Sequence, residues 1–330
     1  MRMAARLNKR HDKFGPETDK RAFVTADDIR ALVQLPLSLA IAWLAPDASL
    51  QRLAQLSAKR ARPGTRASER QVILDLLLGK RVAPATLAEA TRKKAVHKSL
   101  LQLHLLRCLR PDGWQPRCEL VGRAALDAAL GRGHGAILWL APFVYFPLHT
   151  KVAVARAGLS VSHLSRFWHG RYTSVVGNRL LNALTRRAED RFLAERIAIG
   201  PRLTTIAATR LLARKLHENK IVSITANRAG SEVRVPFLGG ELVLANGAAK
   251  LALANGAPLL PVFGVQTAEG SFQTIIEAPL EVDPDDGNPV YALHRAFARR
   301  IEPYAVQYPD QLLVSYDSSV IVVRRDNTRA

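Results

Sequence analysis

The stretch CELVGRAALDAALGRGHGAILWLAPF, residues 118–143, decides the fold class. CELV is strand-like, and RAALDAALGRG is typical of a helix that is closed by glycine. HGAILWLA, residues 134–141, is apolar almost throughout, which indicates a buried strand. A strand, a helix and a second strand in this order predict a sheet that is covered by helices.

The same alternation continues towards the carboxyl end of the chain. Further strands are predicted at residues 158–165, 195–200, 220–226, 257–265 and 271–278, and helices at residues 202–219, 246–256 and about 290–305. We interpret NRAGSEVRVPFLGGE, residues 227–241, as a loop. The prediction is an α/β fold with a mixed, mostly parallel central sheet flanked by helices and preceded by an N-terminal helical segment.

Changes in composition and hydrophobic pattern divide the chain into three regions. Residues 1–24 are polar with mixed charge and are predicted to be a disordered tail, residues 25–115 to be helical, and residues 116–330 to form the α/β domain. The apolar run ALVQLPLSLAIAWLAP, residues 31–46, is shorter than the ~20 residues of a transmembrane helix. It fits either a helix or hairpin lying on a membrane or a helix of the globular core.

The charge of the chain indicates an anionic partner. Lys and Arg number 48 against 28 Asp and Glu, which gives a net charge of +20 and a pI of about 10.7. An anionic membrane surface, an acidic protein or a nucleic acid would each fit this excess. Because aromatic residues make up only 6% and the basic residues are dispersed, we expect no specific nucleic acid.

The common catalytic and cofactor signatures are not found in the sequence. It has no phosphate-binding Gly-x-x-x-x-Gly-Lys-Ser/Thr loop, no Gly-x-Ser-x-Gly elbow and no His-Glu-x-x-His pair. The nine histidines lack ligand spacing, and the two cysteines fit neither a metal site nor a disulfide framework. We therefore expect no metal and no cofactor, a reducing compartment and, since no apolar segment follows the basic start, no signal peptide.

Residues 118–147 and LHENKIVSITANRAGSEVRVPFLGGELVLANGAAKLALANGAPLLPVF, residues 216–263, together resemble the late lipid A acyltransferases (lauroyl and myristoyl transferases). These enzymes belong to the lysophospholipid acyltransferase superfamily, and the resemblance covers residues 25–320 in order. It implies a glycerolipid acyltransferase-like fold, an acyl carrier protein thioester as donor, and a lipid, sugar or small-molecule acceptor. It also implies a peripheral position at the cytoplasmic face of the inner membrane, on an anionic membrane surface, or otherwise a cytoplasmic protein.

The catalytic motif of the family departs here from its pattern. In the family the apolar strand leads into His-x-x-x-x-Asp/Glu, in which the histidine deprotonates the acceptor hydroxyl and the acid supports the imidazolium. The resemblance places Pro142 at the position of the histidine and Pro147 at that of the acid. Tyr145 and His149 are the nearest substitutes, although packing or pocket lining explains both as well.

Four polar residues are candidates for contacts with an anionic substrate: Arg166, Arg171, Asn227 and Arg228. They could equally be ordinary surface residues. Two functions remain open. The chain is either an acyltransferase that works without the usual dyad, or a catalytically inactive membrane scaffold that keeps the fold and binds an acyl chain or lipid.

Overall fold

The computed structural model describes residues 21–60, 65–168, 170–228, 230–282, 287–313 and 320–322. The predicted tail, residues 1–24, lies almost entirely outside them. Helices come first along the described chain: α1 (Ala26–Leu44), α2 (Asp47–Arg60), α3 (Thr65–Leu78) and α4 (Pro84–Arg107). α1 begins in a capping box, in which the Thr25 hydroxyl accepts the Asp28 amide at 3.3 Å and the Asp28 carboxylate accepts the Thr25 amide at 2.6 Å.

From residue 118 strands and helices alternate, as predicted. The elements are β1 (Cys118–Val121), α5 (Arg123–Leu130), β2 (Ala136–Leu140), α6 (His149–Arg156), β3 (Val161–Arg166), α7 (Val175–Arg179), α8 (Leu181–Asp190), β4 (Glu195–Ile199), α9 (Thr205–His217), β5 (Ile221–Thr225), β6 (Glu232–Phe237), β7 (Gly240–Ala245), α10 (Gly247–Asn255), β8 (Leu259–Gln266), β9 (Phe272–Ile276), α11 (Pro289–Gln307) and β10 (Ile321–Val322).

The central sheet has seven strands in the order β1-β9-β8-β2-β5-β3-β4. β8, β2, β5, β3 and β4 are parallel to one another, whereas β9 pairs antiparallel with β8 and carries β1 parallel to itself at the edge. The predicted mixed, mostly parallel sheet with flanking helices is therefore confirmed.

Strand β2 is buried on both faces, which explains its continuous apolar sequence. Ile137 and Trp139 face the larger core, to which α9, α10 and α11 also contribute. Leu138 and Leu140 face a second core against α5 and α6. On the first face the Trp139 ring stacks on Phe297 of α11 with ring centroids 4.0 Å apart, so this contact joins the centre of the sheet to the last long helix.

The interpretation of residues 227–241 as a loop is wrong for most of that stretch. β6 and β7 form an antiparallel hairpin, and β10 extends it to a small sheet of three strands. Along β6, Arg234 is exposed, Val235 buried, Pro236 exposed and Phe237 buried. This alternation is the two-residue period of a half-buried strand. The proline and glycine content of the segment concealed this period.

The apolar run at residues 31–46 belongs to α1, a single helix that continues through Pro36. In it only Asp28 and Ala42 are buried. Ile29, Val33 and Leu37 are 54%, 75% and 66% exposed. A core helix, one of the two expected alternatives, therefore does not describe this segment. Among the described residues, every helix falls short of the length and apolar character needed to cross a bilayer.

Replacing Trp139 by alanine tests the central role of its contact with Phe297. The large cavity should lower the free energy of unfolding by about 3–5 kcal/mol, measured by urea denaturation. Leu253→Ala, at a side chain that is 43% exposed on α10, is the control and should change stability by less than about 1 kcal/mol. Equal losses in the two variants would contradict the assignment of Trp139 to the core.

Candidate functional site

The candidate site lies at the carboxyl edge of the parallel strands, where β2, β5 and β3 end side by side. Leu140 at the end of β2 pairs with Thr225 of β5, and Ile224 of β5 pairs with Leu164 of β3. The segments that follow these strands therefore meet at one edge of the sheet, which is the usual position for ligand sites in open α/β sheets. The described residues of 141–148, 167–174 and 226–231 are these segments.

Residues 141–148, which we call the β2 loop, are held in place by the segment 309–313. The Leu313 amide donates to the Pro142 carbonyl at 2.8 Å, and the Val144 amide donates to the Gln311 carbonyl at 2.9 Å. Phe143 and Leu312 form the antiparallel bridge between these two bonds. The β2 loop thus adds a short strand pairing beyond the end of β2.

Arg70 of α3 holds the other side of the segment 309–313. It is 4% exposed, and its guanidinium donates to the carbonyl oxygens of Leu312 at 2.9 Å and Pro309 at 2.7 Å. Because both acceptors are main-chain carbonyls, this arginine fixes the position of the backbone in the segment. The N-terminal helices and the β2 loop are therefore joined through this segment.

The resemblance assigns Pro142 and Pro147 to the positions of the proton relay, and both are at least partly enclosed by the protein. Pro142 is buried, and Pro147 is partly buried two residues before α6 begins. Neither side chain can take up or release a proton, and each proline ring fixes the backbone angle φ. The β2 loop therefore has no proton acceptor at either position.

Tyr145 is completely buried and bonded on two sides. Its hydroxyl lies 2.8 Å from His97 Nδ1 and 3.1 Å from Gln266 Oε1. The other ring nitrogen of His97 lies 2.9 Å from Asp310 Oδ2. Burial, and next the negative charge of Asp310, raise the pKa of Tyr145 well above its usual value. This phenol is a poor base and is inside the protein.

His149, the first residue of α6, is also completely buried. Its Nε2 lies 2.9 Å from Nδ1 of His104, and its ring stacks on Phe272 with centroids 4.3 Å apart. Burial, and then the neighbouring His104, lower the pKa of His149 well below its usual value. Its Nδ1 is buried and without a partner among the described residues.

The predicted substrate-binding arginines do not converge on one point. Arg166 is exposed at the end of β3, at the carboxyl edge. Arg171 lies 5.8 Å from the Tyr172 ring and lines a cavity of about 160 Å³ between α1, α4 and α8. Arg166 thus lies at the candidate site, whereas Arg171 faces the helical layer.

Asn227 and Arg228 directly follow β5 at the carboxyl edge. The side-chain amide of Asn227 donates to the Thr225 carbonyl at 2.9 Å, and Asn227 is exposed. Arg228 forms a two-point contact with Glu232 at 2.9 and 3.2 Å. This ion pair neutralises the charge of Arg228, and Arg166, Asn227 and Arg228 all lie at this edge.

Sequence reasoning missed the residues that surround Tyr145 and His149. His97 and His104 come from α4, Gln266 from the end of β8, and Asp310 from the segment after α11. They lie 48, 45, 121 and 165 residues from Tyr145 or His149, which they contact directly or through His97, so no local motif contains them. The only available signal was the polar character of these positions within apolar sequence.

A second buried polar cluster joins α6, α8 and β4. Lys151 of α6 and Arg196 of β4 both contact the carboxylate of Glu189, which is completely buried in α8. Opposite charges in contact reduce the cost of burying each of them, so the cluster has a structural explanation. In the described part of the chain, no three His, Cys, Asp or Glu side chains come close enough to hold a metal ion.

The comparison with protein families agrees with the family resemblance seen in the sequence. A family model described as bacterial lipid A biosynthesis acyltransferase matches residues 99–313, which include the whole seven-stranded sheet and the segment that holds the β2 loop. The resemblance drawn from the sequence is thereby confirmed. A search of curated proteins gave no match.

Because His104 and His149 are buried together, we expect the folded protein to lose stability at acidic pH. Burial lowers the pKa of His104 to about 4, below the value of ~6.5 in an unfolded chain. The unfolded state then binds more protons between these two values, so stability falls as the pH falls through this window. Between pH 7.5 and pH 5 we expect His104 to account for a loss of about 2 kcal/mol in the free energy of unfolding.

Urea denaturation at the two pH values measures this loss. His104→Gln keeps a polar side chain but cannot titrate, so its stability should depend less on pH, by about 2 kcal/mol over the same interval. His217→Gln, at an exposed position on α9, is the matched control and should behave like the wild type. Identical pH dependence in His104→Gln and the wild type would contradict the prediction.

Proposed function

Because the chain belongs to the bacterial lipid A biosynthesis acyltransferase family, we propose that it transfers an acyl chain from a carrier-protein thioester to a lipid, sugar or small-molecule acceptor without the His/acid dyad. The observation that carries this proposal is a family fold with an intact carboxyl edge but no proton acceptor in the β2 loop. The resemblance places Pro142 and Pro147 at the dyad positions, while Tyr145 and His149 are buried and bonded to other residues.

The absence of a general base restricts which functional group of the acceptor can attack the thioester. A hydroxyl must lose its proton as it attacks a thioester, and a positioned base normally accelerates this step by 10²–10⁴-fold. A neutral amine attacks first and loses its proton afterwards, so it needs less help from the protein. We therefore favour an amino group on the lipid, sugar or small molecule as the acceptor, with catalysis by positioning of the two reactants.

The surroundings of the carboxyl edge support binding of an anionic substrate. Arg166 and Asn227 are exposed there on adjacent strand ends, and Arg228 is held beside them by Glu232. A phosphate or carboxylate of the donor or acceptor placed at this edge would meet the Arg166 guanidinium and the Asn227 amide as donors.

A second candidate function is that of a scaffold that binds an acyl chain or lipid without turnover. It is favoured by a specific observation: the side-chain hydroxyl of Tyr145 and the Nε2 of His149 are both committed to internal partners. Groups bonded in this way stabilise the fold and do not exchange protons with a substrate. The scaffold and the transferase share the same edge and donor and differ only in turnover.

We further propose a peripheral position on an anionic membrane, at the cytoplasmic face of the inner membrane. Val33 and Leu37 project from one side of α1 at a spacing of four residues, with Ile29 one turn before them. An exposed apolar stripe on a protein with a net charge of +20 fits a surface of acyl chains and anionic headgroups.

A transfer assay with a labelled acyl carrier protein tests the catalytic proposal. Parallel reactions contain amine acceptors and matched hydroxyl acceptors, and product formation should be restricted to, or strongly favour, the amines. Tyr145→Phe and His149→Gln should each remain within about threefold of the wild type, because neither side chain acts as a base. The Tm of each variant serves as the control for folding.

Three outcomes of this assay separate the possibilities. A loss of about 100-fold or more in Tyr145→Phe, with an unchanged Tm, would show that the phenol takes part in proton transfer and would contradict the proposed route. Equal rates with hydroxyl acceptors would contradict the restriction to amines. The absence of turnover with every acceptor, together with retained binding of the carrier, would leave the scaffold.

Co-sedimentation with vesicles tests the membrane proposal. Leu37→Asp should reduce binding to vesicles that contain anionic phospholipid by about tenfold or more, because the charge lies in the apolar stripe. Leu253→Asp on α10 changes the charge by the same amount at another exposed leucine and should bind like the wild type. Equal binding of the wild type and Leu37→Asp would exclude α1 as the membrane contact.

A further inference from the structure

The outer face of α9 carries a basic stripe with an exposed apolar residue. Arg210 and Arg214 follow Ile206 at intervals of four residues, and Arg202 precedes the helix at the same spacing. All three arginines are exposed, and Ile206 is 67% exposed. We call these four residues the α9 stripe. On the opposite side of the helix Ala208, Leu212 and Leu216 enter the main core, so the orientation of the stripe is fixed by packing.

The α9 stripe carries an excess of positive charge within the described structure. Among the residues that the structure describes, none of these three arginines takes part in an ion pair, whereas Lys215 on the same helix pairs with Glu195. The nearest exposed acid on the chain, Glu218, is bonded to Lys220 at 2.5 Å, and this hydrogen bond, together with the charges of Lys220, Lys215 and Arg214, lowers its pKa. Arg210 and Arg214 lie about 6 Å apart along the helix axis and Arg202 lies just before the helix begins, so the three exposed guanidinium groups create a positive field along α9 and the turn that precedes it.

The α9 stripe begins at the carboxyl edge of the sheet. β4 ends at Ile199, and Arg202 follows three residues later. The Phe167 amide donates to the Ile199 carbonyl at 2.8 Å, so Phe167, which is 46% exposed and directly follows Arg166, lies against this turn. Arg166, Phe167 and the stripe therefore form a surface that leads from α9 to the candidate site.

We propose that the α9 stripe is the docking surface for the donor, an acyl carrier protein that presents an acidic helix. The argument is charge complementarity: carboxylates along one face of a partner helix would meet Arg210 and Arg214 on α9 and Arg202 just before it, and an apolar residue of that helix would cover Ile206. This placement rests on the proposed function, since a donor docked there would hold its thioester arm above the carboxyl edge.

Carrier binding measured by isothermal titration calorimetry tests the proposal independently of turnover. The probe is a purified bacterial acyl carrier protein bearing an acyl chain, titrated at low and at high salt. Arg210→Glu/Arg214→Glu should raise the Kd at least tenfold, and the affinity of the wild type should fall as the salt concentration rises. The Tm of the variant confirms that it folds.

The control has the same change of charge on another helix. Arg295 and Arg299 are exposed on α11 at a spacing of four residues, and α10 packs between α11 and α9. Arg295→Glu/Arg299→Glu should change the Kd less than threefold if docking is local to α9. A carrier whose acidic helix residues are replaced by lysine should bind the α9 variant better than it binds the wild type.

Defined results would overturn the docking proposal. It fails if the wild type does not bind the carrier, if the two double variants lose affinity equally, or if only binding to anionic vesicles or to duplex DNA depends on the α9 stripe. Turnover that is unaffected by Arg210→Glu/Arg214→Glu would also overturn it and leave the proposed transferase standing. Carrier binding through α9 without turnover would support the docking surface and contradict the transferase.

Discussion

The pairing between the β2 loop and residues 311–313 is the interaction on which the rest of the candidate site depends. Two main-chain hydrogen bonds join Pro142 to Leu313 and Val144 to Gln311. Through Gln311 the contact reaches β8, because its side chain accepts the Gln266 amide at 2.8 Å and donates to the Gln266 carbonyl at 2.6 Å. A loop bonded in this way belongs to the core of the protein, although it follows the central strand at the carboxyl edge of the sheet.

The buried polar groups near this pairing follow from it. Once the segment 309–313 lies across the β2 loop, Asp310 is brought to His97, and His97 to the Tyr145 hydroxyl. Buried polar groups are costly unless they are bonded, and here each of these three has a partner. The network therefore explains why a polar side chain such as Tyr145 is retained in an otherwise apolar part of the loop.

The sequence predicted the architecture better than the site, and for a physical reason. The sheet depends on local patterns, such as the continuous apolar run of β2 and the glycine-closed helix before it, and these patterns lie within a few residues of each other. The environment of Tyr145 and His149 depends on α4 and on the end of β8, which are brought close only by the folded chain. The hairpin β6–β7 was missed although its alternating period is local, because Pro236 and the glycines around it are typical of loops.

Pro142 and Pro147 also have a consequence for how a ligand meets this edge. Proline restricts the unfolded chain more than the folded one, so two of them lower the conformational entropy that the loop loses on folding. A loop that is already rigid has little further entropy to lose when a partner settles on it. The β2 loop thus combines two positions that cannot titrate with preorganisation, and the part of it that reaches towards the surface, Phe146 and Pro147, has a shape that exists before any partner arrives.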